Sequence, residues 1–174
     1  REKEEAEDRM RRILEEVRRT LEEVHKENRR LLEDTRRTVE RIERENRKIV
    51  EEVRRVPVDE KLVKKAEDIS RRVTEEVRRL LDEDRRVSEE VSRRAEELVR
   101  RLEEIVRRLL ELVREGMDIE TLERRVREVV ERVKKELERL LRENKKSTEE
   151  VKRTAEDLLR KNREVVEEVK KAAK

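Results

Sequence analysis

The sequence of 174 residues contains no cysteine, phenylalanine, tyrosine or tryptophan, and only one histidine. Without cysteine the chain can form no disulfide and has no thiolate to act as nucleophile or metal ligand, and its compartment stays undetermined. The absence of aromatic side chains argues against a wide pocket anchored by rings. Apolar residues occur in runs of one to three, so we expect a soluble chain without a membrane span or signal peptide, of unknown localisation.

Charged residues make up 58% of the chain, yet 52 Lys and Arg against 49 Asp and Glu leave a net charge of only +3. The two signs alternate at short range and form no blocks. A nucleic-acid interface needs a one-sided basic surface, which this mixing does not provide. We therefore expect no specific nucleic-acid partner and interpret the charges as an exposed, helix-favouring surface.

Proline and glycine each occur once, as Pro57 and Gly116, and they divide the chain into three nearly equal parts. Pro57 disfavours helix in the residue before it, and Gly116 suits the left-handed position after a helix. Asp59 and Asp118 follow these breaks and suit N-caps. The sequence predicts helices at about 2–55, 59–115 and 118–173, with loops at 56–59 and 115–118.

Apolar residues return every eighteen positions, as in the column Leu62, Leu80 and Leu98 and the column Ile69, Val87 and Ile105. Eighteen residues make five helical turns, so each column stays on one face of a nearly straight helix. The columns cover an arc wide enough to contact two neighbouring helices. The short loops favour antiparallel neighbours. The expected fold is all-α, a single up-down-up antiparallel three-helix bundle over residues 1–174.

Polar residues interrupt these apolar columns, and buried polar groups need partners. With turns near residues 57 and 117, position i of the first helix lies level with about 115 − i in the second and i + 119 in the third. The polar positions then form layers. The expected layers are Asn46 with Ser70 and Asn162; Thr35 and Thr38 with Thr74 and Thr154; and Asn28 with Ser88 and Ser147, within about a turn of Asp84, Asn144 and Thr148.

Such layers are typical of hydrogen-bond networks between helices. A network of this kind penalises slipped registers, because each displaced polar group loses its partner. A catalytic or binding constellation is the alternative interpretation. Asn, Ser and Thr provide no proton acceptor of useful basicity, which argues against that alternative.

Two ionisable residues need separate consideration. Glu22-x-x-His25 has the spacing of a carboxylate and imidazole element in di-metal helical bundles. Glu22 points away from the apolar face and no second histidine exists, so we expect no metal site and a hydrogen bond from His25 toward Ser92 or Asn144. Asp84 lies in a core column, where burial should raise its pKa.

Neither an active site nor a cofactor site is indicated. The chain has no glycine-rich phosphate loop and no serine beside a base, so we expect no enzymatic activity and no cofactor. Two function classes remain. The chain is a self-contained structural scaffold, or it is an interaction module that associates with itself or accepts a partner helix.

In these features the whole chain resembles a de novo designed helical bundle of the idealised, parametric kind with buried hydrogen-bond networks. The resemblance rests on the eighteen-residue columns, the minimal loops at Pro57 and Gly116, the layers and the repeated Glu-Glu-Val-Arg-Arg of residues 15–19, 51–55 and 75–79. Spectrin-like natural three-helix repeats are the alternative family, but they usually keep core aromatics. The resemblance implies a scaffold with no evolved substrate, in which polar layers specify register and pairing.

Overall fold

A computed structural model describes residues 1–172 of the chain. It contains three helices, α1 Glu2–Arg55, α2 Glu60–Arg114 and α3 Ile119–Ala172. No strand is present within these residues. The predicted all-α class and the three-helix bundle are therefore confirmed.

Aspartate caps begin the second and third helices. Oδ1 of Asp59 accepts a hydrogen bond from the backbone N–H of Lys61 at 3.3 Å. The carbonyl of Asp118 accepts one from the N–H of Leu122 at 3.0 Å. Because a cap residue lies just outside its helix, α2 and α3 each begin one residue later than predicted. The predicted end of α3 at residue 173 lies outside the described residues.

Gly116 ends the second helix with a positive φ of 121°. Its N–H donates to the carbonyl of Val113 at 3.1 Å, and the N–H of Met117 donates to the carbonyl of Leu112 at 2.9 Å. These two bonds form a Schellman motif, which satisfies carbonyls at the helix end. The helix ends at Arg114, one residue before its predicted end.

The helices contribute to two compact units, each of which contains part of every helix. Unit 1 comprises Arg1–Arg29 and Ser88–Asn144. Unit 2 comprises residues 30–87 and 145–172 of the described chain.

Each unit has its own core of aliphatic side chains from all three helices. Burying one large aliphatic side chain stabilises a fold by roughly 1.5–3 kcal/mol, before the ordering of the chain is counted. Because every helix supplies buried residues to both units, each unit closes its core without an aromatic side chain. Among the most deeply buried residues are Val17, Leu102 and Leu137 in unit 1, and Ile42, Val77 and Leu159 in unit 2.

Within each unit α2 runs antiparallel to α1, and α3 runs parallel to it. Polar contacts between α1 and α2 join residues whose numbers add up to between 116 and 121, as for Asn28 and Ser88. Contacts between α1 and α3 join residues whose numbers differ by 114 to 118, as for Asn46 and Asn162. Both values lie close to the register predicted from the loop positions.

One predicted core column lies at the rim of the core. Val87 and Ile105 are 37% and 39% exposed, and Ile69 of the same column is half-buried. At 100° per residue this column lies 60 to 100° around α2 from the buried Leu102 and Val106. The eighteen-residue period therefore correctly predicted that these residues share one face of α2. Neighbouring helices do not fully cover that face.

Candidate functional site: buried polar layers

All four asparagines of the chain are buried, each with at most 2% of its surface exposed. Asn28 and Asn46 lie eighteen residues apart on α1, and Asn144 and Asn162 lie eighteen residues apart on α3. Since eighteen residues make five turns, the members of each pair point in the same direction from their helix. Each unit thus receives one asparagine from α1 and one from α3.

The Asn28 layer of unit 1 consists of Asn28, Ser88, Ser92 and Asn144. Nδ2 of Asn28 donates to Oγ of Ser92 at 2.9 Å and lies 3.4 Å from the carbonyl oxygen of Ser88. Nδ2 of Asn144 donates to Oδ1 of Asn28 at 2.7 Å. The amide of Asn28 therefore joins α1 to both of the other helices.

The Asn46 layer of unit 2 repeats this arrangement with Asn46, Ser70, Thr74 and Asn162. Nδ2 of Asn162 donates to Oδ1 of Asn46 and to Oγ of Ser70, both at 3.0 Å. Nδ2 of Asn46 lies 3.4 Å from Oγ1 of Thr74 and 3.5 Å from the carbonyl oxygen of Ser70. These two distances exceed the usual range for N–H to O bonds, so the α1 to α2 connection is weaker here than in the Asn28 layer.

Each asparagine layer leaves one acceptor unpaired on α3. Oδ1 of Asn144 and Oδ1 of Asn162 are buried and accept no hydrogen bond from the described residues. An unsatisfied buried acceptor costs roughly 1–3 kcal/mol. The two unpaired acceptors therefore reduce the stability that the layers can contribute.

The Asp84 layer of unit 2 consists of Thr35, Asp84, Ser147 and Thr148. The hydroxyl of Thr148 donates to Oδ1 of Asp84 at 3.1 Å, and Thr35 and Ser147 also provide hydrogen bonds to this carboxylate. The hydroxyl of Thr35 lies 3.0 Å from the carbonyl oxygen of Leu31 as well. One hydroxyl hydrogen cannot serve two acceptors fully, so Asp84 and the α1 backbone compete for it.

Burial raises the pKa of Asp84, because the carboxylate is 1% exposed and has lost most of its hydration. The hydroxyls of Thr35, Thr148 and Ser147 oppose this effect by stabilising the charged form. No charged side chain contributes to the shift. The sequence predicts a partly buried Asp84 with a raised pKa; the residue is almost fully buried, and the direction of its pKa shift agrees with the prediction.

Two predicted members of the layers belong to no layer. The hydroxyl of Thr38 donates to the carbonyl of Asp34, and that of Thr154 donates to the carbonyl of Glu150. Thr38 is half-buried and Thr154 is exposed. A threonine in a helix can bond the carbonyl four residues earlier, and this local bond replaces the predicted contact between helices.

Two other residues belong to different layers from those predicted. Thr74 contacts Asn46 instead of Thr35 and Thr38. Ser147 bonds Asp84 instead of lying with Asn28. Both errors arise because the predicted register was uncertain by about a turn, which is the separation between neighbouring polar positions.

Ser92 is a layer member that the sequence analysis considered only as a partner for His25. It follows Ser88 by four residues, as Thr74 follows Ser70 by four. This shared Ser-x-x-x-Ser/Thr spacing on α2 could have identified it.

His25 lies instead within 3.2 Å of Glu96, measured from Nε2 to Oε1, and its predicted contact with Ser92 or Asn144 is wrong. Both side chains lie near the surface, at 22% and 52% exposure. The numbers of His25 and Glu96 add up to 121, so this pair follows the same α1 to α2 register as the other contacts, at the surface instead of in the core. Within residues 1–172 no group of three or more His, Asp and Glu side chains is arranged to hold a metal ion.

Comparisons with known protein families, with curated proteins and with solved structures find no match for this chain. Across the described residues, no helix combines the length and apolar character that crossing a membrane requires. The layers themselves offer amide and hydroxyl groups that are largely engaged with one another. What they can do chemically is hold three helices at defined heights.

Proposed function

We propose that the chain is a structural scaffold without biochemical activity, in which the asparagine layers specify the register and pairing of the helices. The observation that carries this proposal is the repetition of one layer in two units. In both layers an α3 amide donates to an α1 amide, which reaches a serine or threonine hydroxyl on α2. The occurrence of the same hydrogen-bond arrangement in both units supports the proposal that both layers specify helix register.

Misaligned registers of the helices differ from the aligned one mainly in where the buried amides lie. Aliphatic side chains pack in many registers with little loss, since Val, Leu and Ile are similar in shape. Asn28 and Asn46 tolerate only alignments that bring an amide and a hydroxyl to their own height. Each amide displaced into an apolar layer costs roughly 1–3 kcal/mol. Four asparagines therefore disfavour a slipped register by several times that cost.

The same layers support a designed origin. Every asparagine of the chain lies in a layer, and the two layers are offset by eighteen residues on each helix. Idealised helix ends at Asp59, Asp118 and Gly116 complete the pattern. We include in the proposal that the chain is a de novo designed bundle with no evolved substrate or cofactor.

Replacing both asparagine layers by apolar residues tests this function. The four asparagines become leucine, Ser70, Ser88 and Ser92 become alanine, and Thr74 becomes valine. Spin labels are attached at Arg47→Cys on α1 and Lys161→Cys on α3, both exposed positions of unit 2. Double electron–electron resonance then measures the distance between the two labels, which reports the alignment of α1 with α3. We expect equal or higher thermal stability, because whole polar networks are replaced by apolar contacts. The distance distribution should broaden or split, because the register is no longer unique.

A matched control removes three hydroxyls that bond only their own helix. Thr20, Thr38 and Thr154 each donate to the carbonyl four residues earlier, so their replacement by alanine leaves the layers intact. The control should keep one narrow distance distribution. If the layer variant also keeps one narrow distribution at the original distance, the proposed function is wrong.

An interaction module is the second candidate function, and a specific observation favours it. Among residues 1–172, three large apolar side chains are exposed by about 40% each, and all three lie on α2: Val87, Ile105 and Leu112. A scaffold that satisfies every apolar face internally has no need of them.

A further inference from the structure

A hollow of about 250 Å³ opens between α2 and α3 within unit 2. Two of the residues that line it, Asp84 and Val151, are buried and form its floor. Leu80 and Ser147 beside them are half-buried, and the side chains at its rim are exposed. The hollow therefore leads from the surface of unit 2 to the Asp84 layer.

The charged residues that line this hollow are all acidic. They are Asp84 on the floor and two glutamates at the rim, Glu83 and Glu150. Neither glutamate takes part in an ion pair within the described chain. Basic residues one turn away along the sequence, such as Arg86 and Arg153, do not line the hollow. The hollow thus presents negative charge without a cationic side chain of its own.

The carboxylate on the floor also has room for a further hydrogen-bond donor. A carboxylate offers about four acceptor positions, whereas the three hydroxyls of the Asp84 layer supply at most three donors. The hydroxyl of Thr35 is shared with a backbone carbonyl as well. Burying an ionised carboxylate without an opposite charge is costly, so a cation that donates a hydrogen bond to Asp84 recovers part of that cost.

The remaining lining of the hollow selects the kind of cation. Leu80, Val87 and Val151 provide aliphatic sides, which suit an alkyl chain better than a hydrated metal ion. The volume of the hollow lies between the roughly 150 Å³ that holds benzene and the roughly 300–1,000 Å³ of drug-sized pockets, so a ligand of about five to ten non-hydrogen atoms fits.

We propose that this hollow binds a short primary alkylammonium ion. The ammonium group donates hydrogen bonds to the carboxylate of Asp84 and to the hydroxyl oxygen of Ser147, which can accept a bond while it donates one to Asp84. The alkyl chain lies against the aliphatic sides of the hollow. The two rim glutamates attract the cation toward the hollow. This binding is additional to the register function of the asparagine layers, and either can fail without the other.

NMR titration of the isotope-labelled chain with n-butylammonium at neutral pH tests the site. The methyl signals of Leu80, Val87 and Val151 and the carboxyl signal of Asp84 should shift and saturate, with a dissociation constant on the order of 1–10 mM. Shifts that do not saturate, or that lie away from these residues, overturn the proposal.

Tetramethylammonium is the matched control ligand, because it has the same charge and the same number of non-hydrogen atoms but no N–H donor. It should bind at least about tenfold more weakly than n-butylammonium. Potassium ion should cause no saturating shift, since it has neither an N–H donor nor an alkyl chain. Equal affinity for n-butylammonium and tetramethylammonium, or saturable binding of potassium, contradicts the proposed ligand.

Substitutions test which carboxylates hold the cation. Asp84→Asn keeps the size of the side chain, removes its charge and should weaken n-butylammonium binding at least about tenfold. Asp82→Asn, at an exposed position two residues away, should bind as the unmodified chain does. Glu150→Gln at the rim should weaken binding about two- to fivefold, whereas Glu149→Gln, which lies outside the hollow, should not. Equal affinities of Asp84→Asn and Asp82→Asn would place the ligand elsewhere.

Protonation of Asp84 provides a test on the unmodified chain, because the ammonium ion and the proton compete for one carboxylate. Hydroxyls of Thr35 on α1 and of Ser147 and Thr148 on α3 face this carboxylate, and the charged groups of the hollow are the two rim glutamates. The pKa of Asp84 should be lower in saturating n-butylammonium than in its absence. An unchanged pKa contradicts direct contact. Circular dichroism of every variant separates loss of binding from loss of the fold.

Discussion

At the scale of single residues, Asp84 is the least typical side chain of the core. Its carboxylate is surrounded by hydroxyls, whereas buried carboxylates usually have a cationic partner. Three hydroxyls recover part of the lost hydration, and one of them, on Thr35, also lies within reach of a backbone carbonyl. Burial favours the protonated form of Asp84, whereas the hydrogen bonds from these hydroxyls favour the charged form.

Asp84→Asn should therefore remove a pH dependence of stability. The folded state raises the pKa of Asp84, so it binds more protons than the unfolded state between the ordinary aspartate value of about 3.9 and the raised value. The free energy of unfolding of the unmodified chain should fall, relative to Asp84→Asn, as the pH rises through this interval. Each unit of pKa shift corresponds to about 1.4 kcal/mol.

Denaturant unfolding at a series of pH values provides this measurement. Asp82→Asn is the matched control, because Asp82 lies two residues away with 63% of its side chain exposed. The control should differ from the unmodified chain by a nearly constant amount. A constant difference for Asp84→Asn as well would contradict the raised pKa of Asp84 in the folded state.

The sequence predicted buried residues better than it predicted their partners. Asn28, Asn46, Asn144 and Asn162 were identified because a polar residue in an apolar column is visible in the pattern alone. Thr154 was wrongly assigned to a layer. Its hydroxyl bonds a carbonyl of its own helix, and the spacing of residues in the sequence does not show whether a threonine bonds its own helix or a neighbouring one. Hydrogen-bond partners depend on register to within one turn, and loop positions give the register only to about that accuracy.

At the scale of secondary structure elements, the helix ends were predictable because each depends on local chemistry. Asp59 and Gly116 act within a few residues of their own positions, and each has the role that its residue type favours. Asp118 stands at the N-cap position of α3, where its backbone carbonyl accepts the N–H of Leu122. Coverage of a helix face is a different property. The exposure of Val87 and Ile105 depends on where neighbouring helices lie, and a periodic sequence does not contain that information.

Gly116→Ala should destabilise the protein by about 1 kcal/mol or more, because a φ of 121° is unfavourable for a residue with a Cβ. No heavy atom lies within 4 Å of the added methyl group, so the loss would come from the backbone and not from a clash. Thermal unfolding followed by circular dichroism measures it. Glu115→Ala, at the exposed preceding residue, should change the midpoint little. Equal midpoints for both variants would contradict the backbone explanation.

At the scale of the whole molecule, three kinds of interaction have separate roles. Aliphatic cores in both units provide the main stabilisation, and under the proposed function the polar layers restrict the alignments that those cores allow. Surface ion pairs add little each, since exposed pairs contribute roughly 0–1 kcal/mol.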